Sequence, residues 1–182
     1  MTKKAKTNKE TEKNTNDNGK TPQDGDQKGG PFRIISHYVK DVSFENPGVK
    51  RMLTGEIAQS PEDNVNHNIQ WNLAMNAIES RPNWHETEVK ITITATLRDN
   101  VCFVIEVCMG AMVEINPAIN EAAHIEQIML IEIPRILYPY LRCEIDTMAR
   151  GGGYPPLMVP PLDFAGSYIQ SKKQQSEGAA QK

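Results

Sequence analysis

The chain has 182 residues, of which 38% are hydrophobic, 24% charged and 6% aromatic, and its formal net charge is −3. A domain contains roughly 100 to 200 residues, so this length favours one domain with tails. No stretch reaches the ~20 apolar residues of a membrane helix, because Glu132, Pro134 and Arg135 interrupt the longest one. The N-terminal residues also lack the apolar segment of a secretory signal, so we expect a cytoplasmic protein without direct membrane insertion.

The charge is distributed unevenly along the chain. Residues 1–30 contain seven lysines and five acids, and residues 171–182 contain three lysines and one acid, whereas residues 31–170 contain ten basic and 17 acidic residues. Because nucleic-acid binding needs clustered Lys and Arg, this acidic central region argues against DNA or RNA as a partner. A basic or zinc-stabilised protein segment is the better match for such a surface.

Composition divides the chain into three parts. Residues 1–30 hold only two hydrophobic residues, Met1 and Ala5, which predicts a disordered polar tail. Residues 171–182 are similarly polar and are predicted to form a flexible C-terminal tail. The folded domain is therefore expected over residues 31–170.

Four segments show the pattern of β-strands. Residues 31–44 and 68–76 are the first two, and residues 86–97 alternate apolar and polar side chains with many β-branched residues. Residues 101–109 follow after Asp99-Asn100 and are apolar on most of both faces. Four strands without an intervening helical pattern predict an antiparallel meander.

The pattern then changes to helical spacing over residues 118–153. Pro134 is predicted to begin a second helical segment, Pro139 to kink it and Gly151 to end it. The segment is apolar around much of its circumference, so we infer that a second subunit covers part of it. Asp163 is placed to cap a short final helix over residues 163–170.

The residues of a catalytic or metal centre are not found in a recognisable pattern. There is no phosphate-binding loop, and the glycines at 151–153 follow a helix instead of opening one. The histidines have no ligand spacing; they are His37, His67, His85 and His124. We therefore expect no catalytic residues, no metal, no cofactor and no enzymatic activity.

The three cysteines, Cys102, Cys108 and Cys143, form neither a CxxC pair nor an even set. They are predicted to be buried, reduced thiols instead of a disulfide scaffold or a zinc site.

Three segments resemble the SecB family of bacterial protein-export chaperones. They are YVKDVSFENP at 38–47, FVIEVCMG at 103–110 and the run from ILYPYLR to PPLDF at 136–164. The resemblance extends over about residues 32–170, and residues 50–68 depart from the family pattern. It implies an α+β fold with a four-stranded antiparallel sheet, helices on one side and assembly as a dimer of dimers.

The resemblance also implies a function and its sites. The family binds unfolded precursor proteins without ATP and delivers them to the SecA motor of the Sec pathway. By correspondence, the SecA-binding residues are Asp41, Glu45, Val104 and Glu106. The candidates for an apolar client-binding groove are Phe44, Trp71, Phe103, Leu137 and Tyr140.

Other interpretations stay open from the sequence. A SecB-like chaperone dedicated to the antitoxin of a stress-response toxin system would carry the same residues. A small-ligand enzyme or binding protein that uses a groove between subunits is a second alternative, and a purely structural oligomer is a third.

Overall fold

The computed structural model describes residues 29–57 and 64–179. Its elements, in chain order, are β1 (Phe32–Glu45), α1 (Gly48–Leu53), β2 (Asn66–Ala77), β3 (Trp84–Leu97), β4 (Asn100–Ile115), α2 (Ala122–Gln127), a π-helical turn (Ile128–Glu132), α3 (Ile133–Gly151) and α4 (Phe164–Ala179). The polar tail predicted over residues 1–30 lies outside the described residues except for 29 and 30.

The sheet has four antiparallel strands in the order β1-β4-β3-β2. Strands β2, β3 and β4 follow one another as predicted, but β1 pairs with β4, so the meander prediction is wrong for β1. The connection after β1 contains α1 and passes the start of β4, where a Cβ on Gly48 would lie 2.5 Å from the Cys102 Cα. β4 therefore lies inside the sheet, paired with β1 on one side and with β3 on the other.

One face of β3 and β4 forms the core with the helices. Val89, Ile91 and Ile93 of β3 have no exposed surface, and Ile105 and Val107 of β4 are equally buried. The helical residues that cover them are spaced three or four apart, as on one helix face: Met129, Ile133, Leu137, Leu141, Ile145 and Ala149. Each fully buried Ile or Leu contributes about 1.5–3 kcal/mol, so this layer supplies much of the stability.

The helical layer over the sheet runs without a gap from Ala122 to Gly151, and Pro134 lies at the start of α3, as predicted for the second helical segment. Proline has no N–H and its ring clashes with the carbonyl one turn earlier. A π-helical turn over Ile128–Glu132 immediately precedes Pro134, and such a turn accommodates this disturbance without ending the helix. Gly151 ends α3 as predicted.

A buried threonine of β3 completes the hydrogen bonding of the π-helical turn. The Thr87 side chain has no exposed surface, and its hydroxyl donates to the Met129 carbonyl at 2.8 Å. A buried carbonyl without a partner is costly, so this contact fixes the helix on the sheet.

Helix α4 begins where the sequence predicts but ends later than predicted. The Asp163 carboxylate accepts the Gly166 N–H at 2.9 Å, which confirms the predicted cap. The helix continues to Ala179, which corrects the tail predicted from residue 171. The Lys172 ammonium lies 2.5 Å from the Glu126 carboxylate, so the helix is tied to α2 beyond the predicted end.

The cysteine prediction holds for two of three residues. Cys102 and Cys108 are buried free thiols in β4, but Cys143 is exposed. Cys143 lies midway between Leu141 and Ile145, which face the sheet, so its own side chain points away from it.

Replacing Thr87 with Val should destabilise the fold by about 1–2 kcal/mol, because the Met129 carbonyl loses its donor while the side-chain volume is kept. Urea unfolding measures the effect. Thr94→Val, in the same strand on the opposite face, is the matched control and should change the free energy of unfolding by less than about 0.5 kcal/mol. Equal effects of the two variants would contradict a role for the buried hydrogen bond.

Candidate functional site

The helices cover one face of the sheet and leave the other, here called the outer face, to solvent. The predicted partner-binding residues lie together on it: Glu45 is directly opposite Val104, Ser43 is opposite Glu106, and Asp41 is the next outward residue of β1. Val104 and Glu106 are half-buried, whereas Phe103 and Ile105 face the core, as the strand alternation predicts.

Glu106 is held by two neighbours on β3. Its Oε1 lies 2.6 Å from the Lys90 ammonium, and its Oε2 accepts the Thr92 hydroxyl at 3.2 Å. The Lys90 hydrogen bond holds the pKa of Glu106 below its ordinary value. Asp41 and Glu45 are exposed, and neither has an ion pair with another residue of the described chain.

A second charged cluster lies farther along the outer face. The Lys40 ammonium is 3.0 Å from Glu86 and 2.6 Å from Glu88, and the Tyr38 hydroxyl also donates to Glu86. Burial, followed by the bond to Glu86, raises the pKa of Tyr38 to about 12. The Tyr38 hydrogen bond, and then Lys40, lower the pKa of Glu86.

Gly110 is the reason that β1 side chains reach β3 across β4. A Cβ at this position would lie 2.7 Å from the Tyr38 ring. The cluster of Lys40, Glu86 and Glu88 was not predicted, because it depends on β1 lying beside β4 and on this gap, whereas the contacts of Glu106 with Lys90 and Thr92 lie within the β3–β4 pair. The one sign of these clusters in the sequence was a charged residue at every second position of β3: Glu86, Glu88 and Lys90.

On the helix side, an apolar furrow follows β2, the edge strand. It contains two pockets. The first, of about 110 Å³, is lined by Val65, His67, Phe103, Tyr154, Pro155, Pro156 and Leu157. The second, of about 220 Å³, has the apolar lining residues Trp71, Leu73, Leu130 and Tyr168. His67 and Trp71 are four strand residues apart, about 13 Å, so the furrow matches an extended peptide.

The loop between α3 and α4 forms the wall of the first pocket and is fixed by polar contacts, whereas α4 forms the wall of the second with Ser167, Tyr168 and Ser171. The Tyr154 hydroxyl lies 3.0 Å from the Cys102 carbonyl, and the Leu157 N–H donates to Asp146 at 3.1 Å. The Tyr138 hydroxyl donates to the Pro160 carbonyl. The pockets are therefore formed before any ligand binds, which lowers the entropic cost of binding.

The structure separates the predicted client-binding residues. Phe103 and Trp71 line the two pockets, and Phe44 lies 6.2 Å from Phe103 between ring centroids. Leu137 is 1% exposed and belongs to the core, so it does not line an open groove. Tyr140 is 48% exposed and contacts His37 of β1 at 4.4 Å between ring centroids, away from β2.

A third surface, here called the β1 patch, consists of exposed apolar residues on β1 and α3: Ile35, Val39, Val42, Ile136 and Tyr140. β1 is an edge strand, so its outer backbone groups have no partner strand within the sheet. An apolar patch beside an unpaired strand edge is typical of a protein interface.

No three His, Cys, Asp or Glu side chains within residues 29–57 and 64–179 are arranged to hold a metal ion. None of the helices in the same ranges has the length and apolar character required to cross a membrane.

Comparison with known proteins identifies the family. The model of the family "Preprotein translocase subunit SecB" matches residues 25–175. The protein-export protein SecB of Azorhizobium caulinodans is 34% identical over 139 residues, covering 76% of this chain and 81% of that protein. That of Caulobacter vibrioides is 33% identical over 158 residues, covering 87% and 91%.

Among solved structures, the SecB-like chaperone of Mycobacterium tuberculosis, in complex with a ChAD peptide from the HigA1 antitoxin, is similar in fold. Its TM-score is 0.59 at 11% identity, covering 72% of this chain and 91% of that chain. The fold and the family match are those of a chaperone that acts in protein transport. The chain belongs to the SecB family of protein-export chaperones.

The Glu86 cluster should make stability depend on pH. A carboxyl whose pKa is lowered in the folded state stabilises the protein above its ordinary pKa of 4.5, and this contribution is lost as the pH falls through the folded-state value. Between about pH 5 and about pH 3, the free energy of unfolding of wild type should therefore fall more steeply than that of Glu86→Gln.

Urea unfolding at several pH values tests this. Glu144→Gln, at an exposed glutamate of α3, is the control and should keep the wild-type slope. Parallel curves for wild type and Glu86→Gln would contradict the assignment.

Proposed function

We propose that this protein is an ATP-independent cytoplasmic chaperone that binds unfolded precursor proteins, keeps them competent for translocation and delivers them to SecA. The observation that carries the proposal is the separation of two surfaces on opposite faces of one sheet. The apolar furrow beside β2 suits an unfolded chain, and the acidic outer face suits a basic partner.

Client binding is assigned to the furrow. An extended segment can add to the free edge of β2 through main-chain hydrogen bonds while alternate side chains enter the pockets at Phe103 and Trp71. Main-chain bonds and apolar pockets carry little sequence information, so this mode allows many clients. No step of it needs nucleotide.

Replacing Trp71 with Leu should weaken binding of a reduced, alkylated and therefore permanently unfolded client by about three- to tenfold, because the pocket loses a large aromatic wall. Fluorescence anisotropy of the labelled client measures the affinity. Trp84→Leu is the matched control: Trp84 stacks with Arg81 at the start of β3 and lines neither pocket. Equal losses in the two variants would assign the effect to stability and not to the furrow.

SecA docking is assigned to Asp41, Glu45, Val104 and Glu106 on the outer face. Glu45 and Glu106 flank the apolar Val104 side chain, and Asp41 lies two outward positions from Glu45 along β1, which suits a partner segment with several Lys or Arg residues. A zinc-stabilised basic segment of SecA has this chemistry. The furrow opens on the opposite side of the sheet, so client and SecA can bind at once.

Glu106→Lys should weaken binding of purified SecA by about tenfold or more, because a like charge then faces the basic segment, and should leave client affinity unchanged. Isothermal titration calorimetry measures both affinities. Glu114→Lys, on the same strand and face but paired with Arg33 at the far end, is the control and should have a smaller effect. Equal loss of client and SecA binding in Glu106→Lys would contradict separate sites.

Assembly into a homotetramer, as a dimer of dimers, is assigned in part to the β1 patch. Pairing of two β1 edges would satisfy their free backbone groups and cover Val39 and Val42, which are 43% and 51% exposed. Light scattering should give four times the chain mass of 20.4 kDa.

A further inference from the structure

The Glu106 carboxylate, which is assigned to bind a basic partner, is already paired with a cation of its own chain, Lys90. The Lys90 ammonium lies 2.6 Å from Glu106 Oε1. We infer that Lys90 is an internal competitor: it occupies the place that a lysine or arginine of the basic partner takes on Glu106, and it must be displaced when the partner docks. This inference rests on the proposed docking function.

The register places Lys90 inside the docking surface. Cys108 of β4 lies between Asp41 of β1 and Lys90 of β3, and Glu106 lies one outward position along β4. The charge of Asp41 also acts on Lys90 and, with that of Glu106, favours its ammonium form. A partner cation that approaches Glu106 or Asp41 therefore meets the like charge of Lys90.

The same contacts make displacement easy. The Lys90 side chain is 45% exposed on a flexible stem, so its ammonium can return to water. An exposed ion pair of this kind changes an equilibrium by only about two- to fivefold. Glu106 keeps its orientation without Lys90, because the Thr92 hydroxyl holds its other oxygen at 3.2 Å.

An internal cation of this kind increases selectivity. A single Lys or Arg of an unfolded client gains little by replacing Lys90, since one ion pair is exchanged for another. A segment that also contacts Asp41, Glu45 and Val104 gains several interactions at the cost of one. Lys90 thus favours a multivalent basic partner over isolated cations.

The test is a double-mutant cycle on the full-length protein, with purified SecA as the probe in isothermal titration calorimetry at low salt. Lys90→Gln should tighten SecA binding by about two- to fivefold. Lys90→Gln in the Glu106→Gln background should tighten binding by less than Lys90→Gln tightens that of wild type, because the ion pair to be released is gone and only the repulsion near Asp41 remains. Lys90→Arg, which keeps the cation, should bind as wild type does.

Lys40→Gln is the matched control, since it removes an equally exposed cation of the same face that pairs with Glu86 and Glu88 instead. It should tighten binding less than Lys90→Gln does. Unchanged or weaker binding by Lys90→Gln would overturn the inference, and so would a tightening of the same size in the Glu106→Gln background. In both cases wild type still binds SecA and the docking proposal stands. Failure of wild type to bind SecA would instead remove the docking proposal and this inference with it.

Discussion

The burial of one face of β3 and β4 under the helix from Ala122 to Gly151 is the interaction on which the rest of the structure depends. The two strands that the helix covers are the inner strands of the sheet, and β1 and β2 are its edges. This burial also explains the π-helical turn, since that turn lets the helix pass Pro134 without leaving the sheet. The contact between Thr87 and Met129 fixes the two layers at this point.

The surfaces proposed to bind partners are the parts of the sheet that this single helical layer does not cover. The helix lies over the two central strands, so the apolar flanks of the edge strands β1 and β2 stay accessible on its two sides. The β2 flank becomes the furrow because the loop after α3 is fixed beside it, and the β1 flank becomes an apolar patch. Within residues 29–57 and 64–179, no layer covers the outer face of the sheet, which carries the charged clusters. One packing arrangement therefore separates the apolar furrow from the acidic outer face.

The sequence predicted the strands and helices themselves better than it predicted which strands lie side by side. The alternation of apolar and polar residues identified β3 and β4. It also placed Glu106 and Val104 on one face of β4 and Phe103 on the other, because this pattern is local. The position of β1 beside β4 was missed, because pairing between distant strands leaves no local pattern. For the same reason the ion pairs of Lys40 with Glu86 and Glu88 were not predicted, whereas the Lys90–Glu106 pair lies within the predicted pair of β3 and β4. Leu137 was assigned to a groove although it is buried, since an apolar residue of a helix has the same sequence signal in a core as in a binding site.

The central claim is that the protein holds unfolded chains without nucleotide. The most direct test is to dilute a slowly folding precursor from denaturant into buffer without ATP and to follow its refolding with and without the purified protein, whose mass is determined by light scattering in the same preparation. The account predicts a tetramer that arrests refolding in proportion to its concentration and releases the precursor to SecA. Refolding at an unchanged rate, at concentrations where the protein is fully assembled, would contradict it.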